Sequence, residues 1–243
     1  MICRGGLTVT VEIRVLYEDN HLLVVEKPAN MLTQGDKTGD ADLLSILKQK
    51  LKEKYQKPGN VYLGLVHRLD RPTGGALVLA KTSKAAARLA AQLREHTFNR
   101  AYLAVVHGRL PSERGKLEHY LRKDRRTNTV TVVKSSSAGA KKAKLTYQVL
   151  GSVSSYSLLY VQLETGRAHQ IRVQLAAAGY PLFGDQRYGQ KVNRPGQQLA
   201  LWSCRLSFLH PTRKREVNFF SFPPHTYPWT LFASESLLKD MIQ

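Results

Sequence analysis

Two cysteines, Cys3 and Cys204, occur in 243 residues, too few for a disulfide framework or a four-cysteine zinc site. Acids are scarce as well, 18 Asp+Glu against 37 Lys+Arg. A glycosidase needs two carboxylates facing one bond, and beside Asp70 only Asp185 stands in a comparable strand-end setting. No apolar run approaches the roughly 20 residues of a membrane span. The start, MICRGGLTVTVEIRVLYEDN, meets Glu12 and Arg14 before a signal-peptide core can form, so the cytoplasm is the expected compartment. There is no HExxH, no Cys/His cluster spacing, no GxGxxG after a strand, no GxxxxGK[ST] and no GxSxG. Metal chemistry, nucleotide cofactors and serine hydrolysis therefore have no anchor. HRLD at 67–70 has the look of a kinase catalytic loop, but no Asn follows at the right spacing and no DFG or glycine-rich loop exists.

What is present is positive charge. The formal net charge is +19 and the pI is near 10.1. Between Glu164 and Glu216 the sole acid is Asp185, against Arg167, Arg172, Arg187, Lys191, Arg194, Arg205, Arg213, Lys214 and Arg215. Such an imbalance repels itself without a polyanionic partner, and nucleic acid is preferred over an acidic membrane surface.

The hydrophobic patterning alternates short strands with few helices. Strands are expected at 11–18 and 21–26 around Asp19-Asn20, at 61–67, 76–80, 101–107, 129–133, 143–150, 156–164, 199–207 and 216–221. Helices are expected over 41–55 with Asp40 as cap, from Ser83 as cap through Leu93, from about Ala168 to Gly179, and from about Trp229. Residues 134–142, KSSSAGAKK, read as a loop. The fold class is α+β: a mixed, largely antiparallel sheet flanked by helices, in a single domain over 1–243.

Three stretches carry chemistry. LVHRLDRPTGG (65–75) ends an apolar run in His67, Arg68 and Asp70 and then turns. FNRAYLAVVHG (98–108) alternates so that Tyr102, Ala104 and Val106 share a strand face. ETGRAHQIRVQLAAAGYPLFGD (164–185) is strand, glycine turn and helix, with His169 and Arg172 on one face and Ile171 and Leu175 toward the core. Taken singly, the first reads equally as a solvated turn, Tyr102 as a core tyrosine and Arg172 as a surface arginine.

Jointly, and with YEDNHLLVVEKPA (17–29), these stretches resemble the pseudouridine synthases of the RluA type, most specifically in HRLDRPTGGALVLAKT (67–82) and GRAHQIRVQLAAAGYPLFGD (166–185). The resemblance implies an enzyme that isomerises uridines of ribosomal or transfer RNA, with no metal and no redox cofactor. It makes Asp70 the catalytic aspartate and Tyr102 the tyrosine that stacks on the base and is a candidate proton acceptor. Arg172 becomes the arginine that pairs with the aspartate, Ile171 the apolar residue beside it, and Arg68 the residue that fills the gap left by a flipped nucleotide. Arg167 and His169 join them as candidate RNA contacts. Attack at C1′, attack at C6 and a glycal route all remain open.

Three positions depart from the usual family pattern. Thr73-Gly74-Gly75 stands where TSG is common, Asn30 where KPAG has glycine, and Gln174 where His is common. Asn tolerates positive φ better than most residues. Many relatives carry an extra RNA-binding domain of the S4 type, for which this chain has no room, and a monomer is expected. The competing readings are a non-catalytic RNA-binding module and, further off, a nucleoside hydrolase, which would release a free base.

Overall fold

The computed structural model describes residues 12–232 and Asp240. They form two compact units. One runs to Phe98 and takes back Arg205–Ser221; the other comprises Asn99–Cys204 and resumes at Phe222.

In the first unit β1 (Val15–Glu18) and β2 (Leu22–Lys27) pair antiparallel. The Asp19 carboxylate closes the turn between them by accepting the N–H groups of His21 and Leu22, both at 2.8 Å. A short β3 (Gly64–Leu65) precedes β4 (Gly74–Ala80), and β4 pairs with both β2 and β3. The sequence GGALVLA is apolar throughout because every residue of β4 is buried. α1 (Leu43–Lys54) buries Leu43, Leu47 and Leu51. α2 (Ser83–Arg94) buries Ala85 and Leu89.

Both caps lie beside the expected residues. Asp42, not Asp40, is extended and accepts the Ser45 N–H, while Asp40 is committed to Arg71. Thr82, not Ser83, accepts the Ala85 N–H. An N-cap needs an extended backbone and an oxygen within reach of the third helical amide, and these residues meet both conditions. The second half of β10 (Leu201–Leu209) forms a hairpin with β11 (Glu216–Phe220). Leu206 and Phe208 complete a core with Leu22, Val24, Ala76, Val78, Ala80, Leu89 and Phe98.

The second unit is an antiparallel series of β5 (Asn99–His107), β9 (Tyr156–Leu163), β8 (Lys141–Val153), β6 (Arg114–Asp124) and β7 (Thr129–Val133). A helix, α3 (Gln170–Ala177), follows β9 in sequence. β6 has no counterpart among the expected strands. Its sequence, RGKLEHYLRKD, buries only Leu121, so hydrophobic alternation is too weak to announce it. Pairing on both edges, with β8 and with β7, makes the strand. β8 begins at Lys141, inside the segment expected as loop. Of the helix expected from Trp229, the described residues show a 3-10 turn, Trp229–Leu231, and helical Asp240; residues 233–239, like Cys3, lie outside the described residues. The α+β class with largely antiparallel pairing is the architecture the chain adopts.

Candidate active site

Asp70 and Arg68 belong to the first unit, and Tyr102, Arg167, His169, Ile171 and Arg172 to the second. The turn bearing Asp70 is fixed from several sides. His67 is buried; its Nε2 accepts the Val78 N–H at 3.3 Å and its ring packs on Phe98 at 5.7 Å between centroids. Leu69 is buried and its carbonyl accepts the Thr33 hydroxyl at 2.7 Å. The Thr73 N–H donates to the Asp70 carbonyl at 3.0 Å, closing the turn. With 67, 69 and 73 directed inward, Arg68 is left exposed and Asp70 half-buried. Arg71 turns aside, its guanidinium bonding Asp40 at 2.7 Å and the Asn30 carbonyl at 3.2 Å.

A residue that sequence reasoning missed holds this turn from below. Lys27, at the end of β2, has no exposed surface, and its ammonium donates to the carbonyls of Pro28 (2.8 Å), Met31 (2.7 Å) and Arg71 (3.2 Å). Three N–H donors meet three acceptors, so a buried charge is fully hydrogen-bonded. Burial pushes the Lys27 amine down to about 7, against the attraction of the Asp70 charge. The available signal was a lysine closing the otherwise apolar run LLVVEK, directly before Pro28. Asn30, in the same loop, has φ 65, the left-handed conformation expected where relatives carry glycine.

In the second unit Tyr102 lies in β5 opposite Val161 and is 6% exposed. Ala101–Val106 are all buried, so both faces of this strand are covered and not only the face of Tyr102. After β9 the chain turns at Gly166, where a Cβ would stand 2.6 Å from the Arg100 guanidinium, so a larger residue there would require that flexible side chain to shift.

α3 starts at Gln170, two residues later than expected, because His169 is left-handed, with φ 50. Gln170 ties the start of the helix to the preceding turn and to β8. Its side-chain oxygen accepts the Thr165 hydroxyl (2.8 Å) and the Arg167 N–H (2.9 Å), while its amide donates to the Lys144 carbonyl (3.0 Å). Residues 170–175 are all buried, so Ile171 and Arg172 both point into protein, and Arg167 is exposed.

Arg172 is held by Asp185. Its Nε and Nη2 donate to the two carboxylate oxygens, each at 2.8 Å, and the side chains are 8% and 1% exposed. Asp185 also accepts the N–H groups of Arg187 (2.9 Å) and Tyr188 (3.1 Å). Burial alone would raise its carboxyl; the Arg172 hydrogen bonds and charge outweigh burial and hold it below the usual carboxylate range. The Arg172 guanidinium lies 5.2 Å from the centroid of the Tyr188 ring, and the Tyr188 hydroxyl is bonded to His169 Nδ1 at 2.7 Å. Asp185 as a bidentate partner of Arg172 went unseen in the sequence; the hint was its position as the sole acid of a long basic segment.

Chemically, the first unit presents a half-exposed carboxylate on a rigid turn with an arginine next to it. The second presents a buried tyrosine and a preoriented guanidinium. Among the described residues no three His, Cys, Asp or Glu side chains gather as a metal site requires, and no helix is long and apolar enough to cross a membrane.

Comparison with known proteins points one way. The family model described as RNA pseudouridylate synthase matches residues 21–177. The chain is 36% identical over 219 residues to ribosomal large subunit pseudouridine synthase D of Zymomonas mobilis, covering 86% of this chain and 68% of that protein. It is 35% identical over 211 residues to ribosomal large subunit pseudouridine synthase C of Buchnera aphidicola, covering 84% of this chain and 65% of that one. In fold it is similar to human RNA pseudouridylate synthase domain containing 4, with a TM-score of 0.73 at 23% identity over 87% of this chain and 88% of the other.

Proposed function

The chain belongs to the RNA pseudouridylate synthase family, in its RluA-type branch, and from that premise we propose that it isomerises uridines in structured RNA, ribosomal or transfer RNA, to pseudouridine as a single catalytic domain. The C1′–N1 bond of the nucleoside breaks, the base turns, a C1′–C5 bond forms, the proton at C5 leaves and N1 gains one. Nothing is oxidised or reduced and no group is lost. The ribosomal large subunit named for the curated relatives favours ribosomal RNA.

In this reading Asp70 supplies the carboxylate that attacks the sugar or base or assists a glycal. Tyr102 stacks on the base and accepts the C5 proton. Arg172 orients the reacting carboxylate. Ile171 lines the base pocket, Arg68 enters the gap left by the flipped base, and Arg167 and His169 contact the RNA. Extracting the base costs a few kcal/mol, and stacking on an aromatic ring returns about 1–3 kcal/mol. The observation that carries the proposal is the half-buried Asp70 carboxylate beside exposed Arg68, on a turn whose His67, Leu69 and Thr73 are directed inward.

The test is pseudouridine formation in large-subunit ribosomal and transfer RNA transcripts. Asp70→Asn, nearly isosteric but a very poor nucleophile, is expected to abolish product while leaving melting temperature and RNA affinity unchanged. A near wild-type rate would overturn the mechanism. Tyr102→Phe keeps the ring, so binding persists while single-turnover product formation falls about 10²–10⁴-fold, the usual worth of a general base. Full turnover by Tyr102→Phe would reduce the tyrosine to a stacking platform.

A further inference from the structure

The strand that hydrophobic patterning did not announce ends in the most basic turn of the second unit. β6 and β7 are joined through RKDRRTN, residues 122–128, all of them exposed. Arg122, Lys123, Arg125 and Arg126 crowd this tip, and none of them forms an ion pair among the described residues. The single acid, Asp124, is used internally: its carboxylate accepts the backbone N–H of Arg126 (2.8 Å) and of Thr127 (3.4 Å) and so shapes the turn. Like charges so close repel one another unless an external anion is there to meet them.

The tip is also held rigidly. The Arg187 guanidinium donates to the carbonyls of Thr127 (3.1 Å) and Asn128 (3.0 Å). The Tyr188 hydroxyl accepts the Val130 N–H at 2.9 Å. Val130 and Leu121 pack with Ala143 and Val173, against which Tyr188 rests. Arg187 and Tyr188 are the two residues whose amides bind Asp185, the partner of Arg172. A short path of hydrogen bonds therefore ties the basic tip to the arginine assigned to the reaction.

We infer that the β6–β7 tip is a docking surface for the phosphate backbone of the substrate RNA, set at a fixed distance from Arg172 by Arg187 and Tyr188. The inference rests on the RNA reading above for the class of its partner. The tip itself favours RNA over an anionic membrane, because residues 122–128 include no apolar side chain to enter a lipid interface. Phosphate contacts position a nucleic acid without reading its sequence, so the tip sets affinity and register, not the choice of base.

The experiment compares two variants of equal net charge. One is Arg122→Gln, Lys123→Gln, Arg125→Gln and Arg126→Gln together. The other is Lys50→Gln, Lys52→Gln, Lys57→Gln and Lys84→Gln, four exposed lysines of the first unit. Binding of a large-subunit ribosomal RNA transcript is measured across a salt series, alongside pseudouridine formation at saturating RNA. For the tip variant, affinity should fall about 10- to 100-fold near physiological salt, and the slope of log K against log salt should flatten by about 3, as expected for four lost phosphate contacts. Its turnover at saturation should match wild type, and the lysine variant should bind within about 2-fold of wild type. Equal behaviour of the two variants, or wild-type binding by the tip variant, overturns the inference. So does a tip variant that loses only binding to phosphatidylserine vesicles. The activity arm is separate: a wild-type protein that binds RNA through the tip yet forms no pseudouridine would sink the proposed function and leave the docking surface standing.

Discussion

The Asp70 turn of the first unit and the Arg172 segment of the second solve opposite electrostatic problems. Around Asp70 the protein buries a cation, Lys27, and satisfies it with three backbone carbonyls; the carboxylate nearby stays half-exposed. Around Arg172 it buries both charges of an ion pair and satisfies the acid further with two amide N–H groups. The first arrangement leaves a carboxylate half-exposed on a stiff turn. The second fixes the direction of a guanidinium. One region thus keeps a carboxylate partly accessible, and the other locks a guanidinium in place.

The comparison breaks most visibly at Arg172. Arg172→Ala leaves Asp185 buried and uncompensated, and a stability loss of about 3–5 kcal/mol is expected, with loss of activity. Urea unfolding followed with pseudouridine formation checks both; a variant within 1 kcal/mol of wild type (roughly the worth of an exposed pair) would mean that the pair is not held as tightly as its geometry implies. Lys27→Met probes the other region. It strips the ammonium from three carbonyls, and the expected cost is about 2–4 kcal/mol, since buried polar groups left unsatisfied cost about 1–3 kcal/mol each and some regain water.

Lys27 also carries a pH signature. Its folded pKa, about 7, lies below the ordinary 10.5. Between those values the unfolded chain binds the proton more strongly, so this residue's contribution to stability rises with pH from about 7 to 10.5. Lys27→Met should remove that rise, and a variant with the wild-type slope would show that the lysine does not titrate in the window.

The smallest effect concerns acids that serve structure alone. Burial raises the Glu18 carboxyl, but hydrogen bonds from Lys54, Lys81 and Tyr55 outweigh it and bring the group down to about 2; for Asp19 the N–H groups of His21 and Leu22, with Tyr17 and His210, do the same, also to about 2. Both contributions are fully present above about pH 4.5 and are lost as pH falls toward 2. Glu18→Gln should flatten that loss by about 1–2 kcal/mol, allowing for solvent screening. Unfolding between pH 2 and 5 (roughly the span over which carboxylates titrate) measures it.

The sequence made β4 legible because seven apolar or glycine residues in a row, GGALVLA, leave no polar face. It made Asn30 legible because a left-handed position tolerates few side chains. It exposed Asp70, Tyr102 and Arg172 as candidates through long motifs. What it hid depends on partners far along the chain. β6 owes its existence to two neighbouring strands; Lys27 finds an acceptor 44 residues away in Arg71; Arg172 meets Asp185 13 residues on. The helix caps slipped by one or two residues because several polar side chains near each start could serve, and only backbone conformation decides among them.

The first unit is not contiguous, and that affects how the chain is made. Its core needs Leu206 and Phe208 against Leu22, Val78 and Leu89, and its last residue is Ser221. On a ribosome adding about 5–20 residues per second, that core waits roughly 6–25 s after Phe98 before its final strands emerge. Through that interval β4, apolar along its whole length, is left without its last covering, while the residues of the second unit are synthesised in the meantime. The order of synthesis thus keeps buried strands β2 and β4 waiting for their last core partners, and makes the first unit, Asp70 included, complete only when Ser221 has been added.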